Sequence, residues 1–250
     1  MQAVQTRNES LLLRFLPDGI VQRLRRSGMD DAEWEVVETS PNVSVVLGRL
    51  SGYEAIMQQL APEEVVETLD SIVQGVDAAT ERFGVEKVRT FGDSYLAVCG
   101  LSTPHLDHAR RALEFAQEMR ATIRRFQVES GSGLQIKCLV ASGPAIAGII
   151  GRDKLTFDVY GEPVSQVQWL EQQCPPDEVY VSQAVYETLS ESYEFEAVVP
   201  PSSVLQSDSA ARAHSAEPAE SAGSKGGATG ATATAEAPTS GVWRLRSSQS

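Results

Sequence analysis

Apolar residues recur along the chain with two periods, every second residue in some stretches and every third or fourth in others, and the alternation between them lays out the elements. Asn42 to Leu50 is a short apolar run of the kind that forms a buried strand. After a loop a helix opens at Pro62, whose missing N–H costs nothing at a first helical position. Val65, Val66, Leu69, Ile72, Val73, Val76 and Phe83 fall on one side of that helix, and Gly84 is a natural residue to end it. Val85 to Thr90 and Tyr95 to Cys99 read as strands pinched around Phe91-Gly92-Asp93-Ser94, a tight hairpin in which Gly92 takes a positive φ and Asp93 is presented. A long helix then runs from about Leu106 to Val128 with Ala109, Ala112, Leu113, Ala116, Met119, Ile123 and Phe126 on its buried side, and Leu134 to Ala141 is the next strand.

Strand, helix, strand, strand, helix, strand is the order of the split βαβ or ferredoxin-like plan. The expected fold is therefore α+β, an antiparallel sheet covered by two helices. Further elements follow: a short strand around Leu155 to Val159, a helix from Glu162 to Gln173, a strand at Val179 to Val181, a short helix from Gln183 to Leu189 and a strand near Tyr193 to Ala197.

The two ends of the chain depart from this pattern. Ser10 to Arg26 sets Leu11, Leu12, Phe15, Leu16, Ile20, Val21 and Leu24 along one side of an amphipathic helix restarted at Pro17, opposite Arg14, Arg23, Arg25 and Arg26. A basic amphipathic helix can lie on a membrane, but a linker helix that dimerises or caps the core is the simpler reading. From Pro200 to Ser240 the composition turns to Ser, Ala, Gly, Glu and Thr, too poor in apolar side chains to offset the entropy of ordering, so disorder is expected there. Gly241 to Arg246 alternates apolar and basic residues and looks like a last strand that rejoins the sheet. The expected organisation is a linker helix over 1–35, a folded domain over 36–199, an inserted loop over 200–240 and a closing strand within 241–250.

Composition narrows the function. With 34 acidic against 21 basic residues the net charge is −13, which repels nucleic acid and anionic membrane surfaces. Cys99, Cys138 and Cys174 are too widely spaced for a disulfide framework or a metal knuckle and fit a reducing compartment. The longest apolar stretch, Leu139 to Ile150, is interrupted by Gly143, Pro144 and Gly148 and falls short of the roughly 20 residues that span a bilayer. A cytoplasmic location is expected, either for the chain itself or as the cytoplasmic part of a larger receptor. His105 and His108 make an HxxH without a third ligand nearby and read as a helix start rather than a metal site.

Several stretches resemble class III adenylate and guanylate cyclases. Val85-Glu86-Lys87-Val88-Arg89-Thr90-Phe91-Gly92-Asp93-Ser94-Tyr95 is similar to the family's EKIKTIGD-x-Y hairpin, and His108-Ala109 opens the following helix as in the family. Gly143-Pro144-Ala145-Ile146-Ala147-Gly148-Ile149-Ile150-Gly151 resembles the GPVVAGVIG segment, Phe157 to Val164 the YDVWGDTV run, and Leu12 to Pro17 the LLxxxLP linker. The resemblance implies a ferredoxin-like core, head-to-tail pairing as a homodimer or with another cyclase domain, and a nucleotide between the paired domains. It also implies two metal ions, Mg²⁺ or Mn²⁺, on paired aspartates that activate the ribose 3′ hydroxyl for attack on the α-phosphate.

Measured against that pattern, this chain keeps one metal aspartate, Asp93, and has Arg49 where the other stands. A guanidinium does not bind a metal ion, so the site is incomplete, and an Arg49–Asp93 ion pair is expected to put a fixed cation in the metal's place; the alternative is that Arg49 points to solvent. Arg89 and Asp158 match the base-reading positions and favour adenine, unless they pair with each other and close the site. Ser165 stands for the asparagine that orients the ribose, and Trp169 for the arginine that stabilises phosphate charge. Ser51, Gly52 and Tyr53 retain a backbone able to cradle phosphates, while the family's triphosphate lysine has only Lys225 as a candidate, inside the inserted loop. The implied function is a degenerate, dimerising, nucleotide-binding cyclase domain with a regulatory role. The alternatives are an active adenylate cyclase that makes cyclic AMP and pyrophosphate at an atypical site, and a sensor module unrelated to nucleotides.

Overall fold

The structure, a computed structural model, describes residues 37–150, 156–198 and 241–246. The expected linker helix and the 200–240 insertion, with Lys225, lie outside them. The strands are β1 (Val37–Ser51), β2 (Glu86–Phe91), β3 (Ser94–Cys99), β4 (Gln135–Ile150), β5 (Thr156–Gly161), β6 (Val179–Val181), β7 (Phe195–Val198) and β8 (Val242–Leu245). The helices are α1 (Tyr53–Gln59), α2 (Pro62–Phe83), α3 (His108–Ser130), α4 (Glu162–Gln173) and α5 (Gln183–Leu189).

The strands form one eight-stranded sheet in the order β2-β3-β1-β4-β6-β8-β7, with β5 paired to β4. Its first four strands are mutually antiparallel. They give the ferredoxin-like βαββαβ order with α2 and α3 as the two crossover helices. The α+β class is as the sequence pattern implied, and β8 lies between β6 and β7 in the sheet.

Period-2 alternation divides β1 between two cores. Val46 and Leu50 face α2 and α3, where they join Ile72, Val76, Phe115 and Met119. Val45 and Leu47 face the opposite side, where Val167 and Leu170 of α4 lie over Val98, Leu139 and Ala141. Arg49 continues this second row.

Three features differ from the sequence-based expectation. A helix, α1, occupies the stretch between β1 and α2 that was read as a loop; its partly buried Tyr53 and Ile56 pack on the α2–α3 core, a tertiary contact too brief to leave a periodic signal. β1 begins at Val37 rather than Asn42, because a bulge between Ser40 and Val43 absorbs Pro41, which has no N–H to give the ladder. β4 runs on past Ala141 to Ile150, through Gly143 and Pro144, and there pairs with the start of β1 on one side and with β5 on the other as an arm of the sheet. At the base of that arm Gly161 takes φ 137°, and a Cβ there would stand 2.6 Å from the Pro144 carbonyl oxygen, so only glycine lets the chain turn from β5 into α4.

Between β1, β4 and α3 lies a buried polar chain. Ser44 Oγ is 2.7 Å from His108 Nδ1 and 2.6 Å from Ser142 Oγ. Ser44 and Ser142 are directly opposite in the β1–β4 register, and Ala109, Ala112 and Leu113 seal the helix start over them. His108 is thus an anchor of α3. Burial pushes all three thiols up to about 12, which keeps them protonated and inert.

Burial also lowers the His108 pKa beneath its ordinary 6.5, so the unfolded chain binds a proton more readily than the folded one. Stability from this group is complete above the unfolded value and declines as pH falls through it towards the folded value. Urea midpoints should fall between about pH 7.5 and about pH 5.5, and a His108→Gln variant should show a shallower decline; parallel slopes for the two proteins would reject this account.

Candidate functional site

The candidate residues gather around the β2–β3 hairpin, whose tip is held by β1. Leu50 N–H donates to the Asp93 carbonyl oxygen at 2.9 Å, and Arg49 pairs with Ser94 across the β1–β3 ladder. Gly92 takes φ 57°, which lets two residues reverse the chain and leaves the Asp93 carboxylate beside the end of β1.

Arg49 reaches that carboxylate, with Nε 3.2 Å from Asp93 Oδ2. Its Nη1 lies 3.3 Å from Glu171 Oε1 in the last turn of α4. Across the β1–β4 ladder Arg49 stands directly opposite Lys137, a like-charge arrangement that is unfavourable when uncompensated. The structure compensates it on both sides. Lys137 Nζ donates to the Glu171 carbonyl oxygen at 2.6 Å, where a cation also meets the negative end of the α4 dipole, and Arg49 is shared between two carboxylates. Glu171 and Lys137 were not among the residues singled out from sequence; only the strand register and the placement of α4 bring them here.

The second group forms on β2 and β5. Lys87 pairs with Ala97 and Arg89 with Leu96, so a bulge at Val88 inserts one residue into β2. Without it Arg89 would share a face with Tyr95 and α2. With it Arg89 joins the row of Leu96 on the α4 side, and its Nη2 comes 3.3 Å from Asp158 Oδ2. The guanidinium lies over the Phe91 ring, 4.7 Å from its centroid. Asp158 is itself buried and also accepts from its neighbour's N–H, Val159 N to Oδ1 at 2.9 Å. Burial first and the Asp158 charge second raise the Tyr160 phenol, Arg89 opposing them.

Ser165 is exposed near the start of α4, and Trp169 is half-buried against the second core, so neither enters the two ion-paired groups. Ser51, Gly52 and Tyr53 form the junction between β1 and α1, with Gly52 at φ 82°, where an added Cβ would stand 2.9 Å from the Gly133 carbonyl oxygen.

A pair of divalent cations does not fit these residues. The Arg49 guanidinium already neutralises Asp93, and among the described residues no cluster of three or more His, Cys, Asp or Glu side chains is placed to hold a metal. Among them also, no helix is long and apolar enough to cross a membrane.

Residues 35–204 match the family profile described as adenylate and guanylate cyclase catalytic domain. The chain is 27% identical over 193 residues to an adenylate cyclase of Mycobacterium tuberculosis, covering 77% of this chain but 43% of that protein. It is 29% identical over 193 residues to a membrane guanylyl cyclase of Dictyostelium discoideum, again over 77% of this chain and over 13% of that protein. The chain therefore spans less than half the length of these curated relatives. Among solved structures it is similar to the guanylate cyclase domain of RhGC from Catenaria anguillulae in complex with GTP, at TM-score 0.61 and 25% identity over 64% of this chain and 88% of that one. The adenylyl cyclase CyaB from P. aeruginosa shares the fold at TM-score 0.63 and 14% identity, over 85% of this chain and 97% of that one. With the hairpin, the ferredoxin-like sheet and the family match over residues 35–204 all in agreement, this chain belongs to the adenylate and guanylate cyclase catalytic domain family.

Proposed function

We propose that this domain is a catalytically degenerate cyclase domain of cyclic nucleotide signalling, acting as a cytoplasmic regulatory half that pairs with itself or with another cyclase domain and holds an ATP-like nucleotide without a divalent cation. The observation that carries this reading is the Arg49–Asp93 pair, which puts a permanent side-chain cation where a metal-binding carboxylate would be needed. Loss of the charge-stabilising arginine at Trp169 and of the ribose-orienting asparagine at Ser165 points the same way. Deletions of such electrostatic groups cost on the order of a hundredfold to a hundred-thousandfold in rate.

Pairing is supported by the outer side of the β4–β5 arm. Ile146, Ile150 and Tyr160 are each about half exposed there, an apolar surface that a second domain would cover. The guanylyl cyclase domain of RhoGC from Blastocladiella emersonii has been solved both as a dimer and as a monomer. Arg89 and Asp158 present a donor and an acceptor suited to an adenine edge once their mutual pair opens.

Three outcomes follow. Purified protein with ATP and Mn²⁺ should make no more cyclic AMP than its Asp93→Ala variant; clear product above that control would establish the active, atypical adenylate cyclase instead. In thermal unfolding, millimolar ATP should raise Tm to the same extent with Mg²⁺ and with EDTA, and an Arg49→Ala variant should lose the effect, whereas a shift seen only with Mg²⁺ would count against a built-in cation. In sedimentation velocity Ile146→Arg should move a dimeric population towards monomer while leaving Tm nearly unchanged, and an unaltered distribution would place the pairing surface elsewhere.

A further inference from the structure

On the other side of the sheet from Arg49, Glu171 and α4 there is a cavity of about 330 Å³ between α2 and the β2–β3 hairpin. Its floor is the α2–α3 core, reaching Gly48, Leu50, Met119 and Ile123, and its wall is Leu69 and Val73 of α2. Gly48 leaves room in the floor, and a Cβ there would require the Met119 methyl group to move. The mouth lies between exposed Val66 and Asp70 on α2 and exposed Thr90 and Gly92 on the hairpin. The volume falls at the lower end of the range of small-molecule sites, which are apolar clefts with a few polar groups at one end.

The charge around the mouth is one-sided. Asp70 lines it, and Glu67 and Glu63 stand one and two turns earlier on the same stripe of α2. From Pro62 to Glu81 the helix carries no lysine or arginine, and Arg49 points to the opposite face of the sheet. Asp70 accepts a hydrogen bond from the neutral Gln74 amide and forms no ion pair with a described residue. An entering molecule therefore gains from an apolar body and from a positive end.

We propose that this cavity is a second ligand site, distinct from the nucleotide site, that takes a small amphipathic amine with its apolar body against Leu69, Val73 and Met119 and its ammonium group at Asp70. The site shares only the hairpin tip, Gly92 to Ser94, with the Asp93–Arg49 pair. Occupancy fixes the underside of the turn whose upper side carries Asp93, so the amine is positioned to act on the nucleotide face through the hairpin.

The test uses the full chain and three probes of one shape: tryptamine, neutral indole and anionic indole-3-propionate. In titrations followed by amide chemical shifts, tryptamine should move Leu69, Val73 and Gly92 and leave Lys137 and Glu171 in place. Asp70→Asn should weaken tryptamine about tenfold without weakening indole. Val73→Phe, which fills the cavity, should abolish binding of both. Val66→Arg changes only an exposed residue at the mouth, so it folds whatever the fate of the filled variant, and it should weaken tryptamine at least as much as Asp70→Asn. Arg49→Ala should leave tryptamine binding intact, which separates this site from the nucleotide site. Equal affinity for the anionic probe, undiminished binding in Val66→Arg, or shifts confined to the α4 face would overturn the proposal.

Discussion

The register of β1 between β3 and β4 is the constraint on which the rest depends. Once Val46 is opposite Ala97 and Val140, alternation commits Val46, Gly48 and Leu50 to the α2–α3 core and Val45, Leu47 and Arg49 to the α4 side. A slip of one residue would bury the Arg49 guanidinium under α3 and turn Leu47 towards Met119. Neither is tolerable, because an unpaired buried charge costs several kcal/mol and the α2–α3 core has no space for it. The same register sets Ser44 opposite Ser142 beneath His108, so the polar anchor of α3 and the charged end of the strand are fixed by one pairing.

That constraint makes the ionic group around Arg49 explicable. Two cations face each other across β1 and β4, and the sheet alone would disfavour the pair. Helix α4 supplies what the sheet lacks: the Glu171 carboxylate for Arg49 and its carbonyl for Lys137. Arg49 remains 45% exposed and Asp93 27%, so the pairing contributes no more than about 1 kcal/mol to stability. Its importance is positional. A guanidinium held between two carboxylates is part of the chain and does not leave with a chelator, which is a different condition from a site whose positive charge arrives with the substrate.

Elements written in local periodicity were legible in the sequence. The long helices α2 and α3, the hairpin around Gly92 and the strands that alternate between them follow from three- and four-residue or two-residue spacing within single segments. Features that depend on a partner were not. The bulge at Val88 leaves no mark in Glu86-Lys87-Val88-Arg89, yet it decides whether Arg89 meets Asp158 or Asp77, the residue that Lys87 and Tyr95 engage at 2.7 Å and 2.6 Å. The extension of β4 through Gly143 and Pro144 is visible only against β1 and β5, because both residues argue locally for a turn. Arg49, Asp93, Arg89 and Asp158 were found by their places in motifs, whereas Glu171 and Lys137 lie in no motif and become part of the site only through the fold.

The hairpin tip is where the two faces of the sheet communicate. Its backbone is joined to β1 by the β1–β3 ladder, which ends at Arg49 opposite Ser94, and by the Leu50 N–H to Asp93 carbonyl bond beyond it; the Asp93 side chain turns towards Arg49, while Thr90 and the Gly92 backbone line the apolar cavity. Gly92 is exposed and meets no atom within 4 Å of an added Cβ, so the turn is not packed into place from above. Beyond the ends of its two ladders the turn is held by the Leu50–Asp93 backbone bond and the Arg49 ion pair, so displacing it costs on the order of the contacts it would lose. The Asp93 carboxylate is therefore the most movable member of its ionic group. Arg49 is held on the rigid centre of the sheet and Glu171 on a packed helix. A change in how this domain handles a charged ligand between Arg49 and Asp93 can therefore come from the hairpin side, and in the cavity under Gly92 a bound molecule would touch the hairpin without touching Arg49 or Glu171.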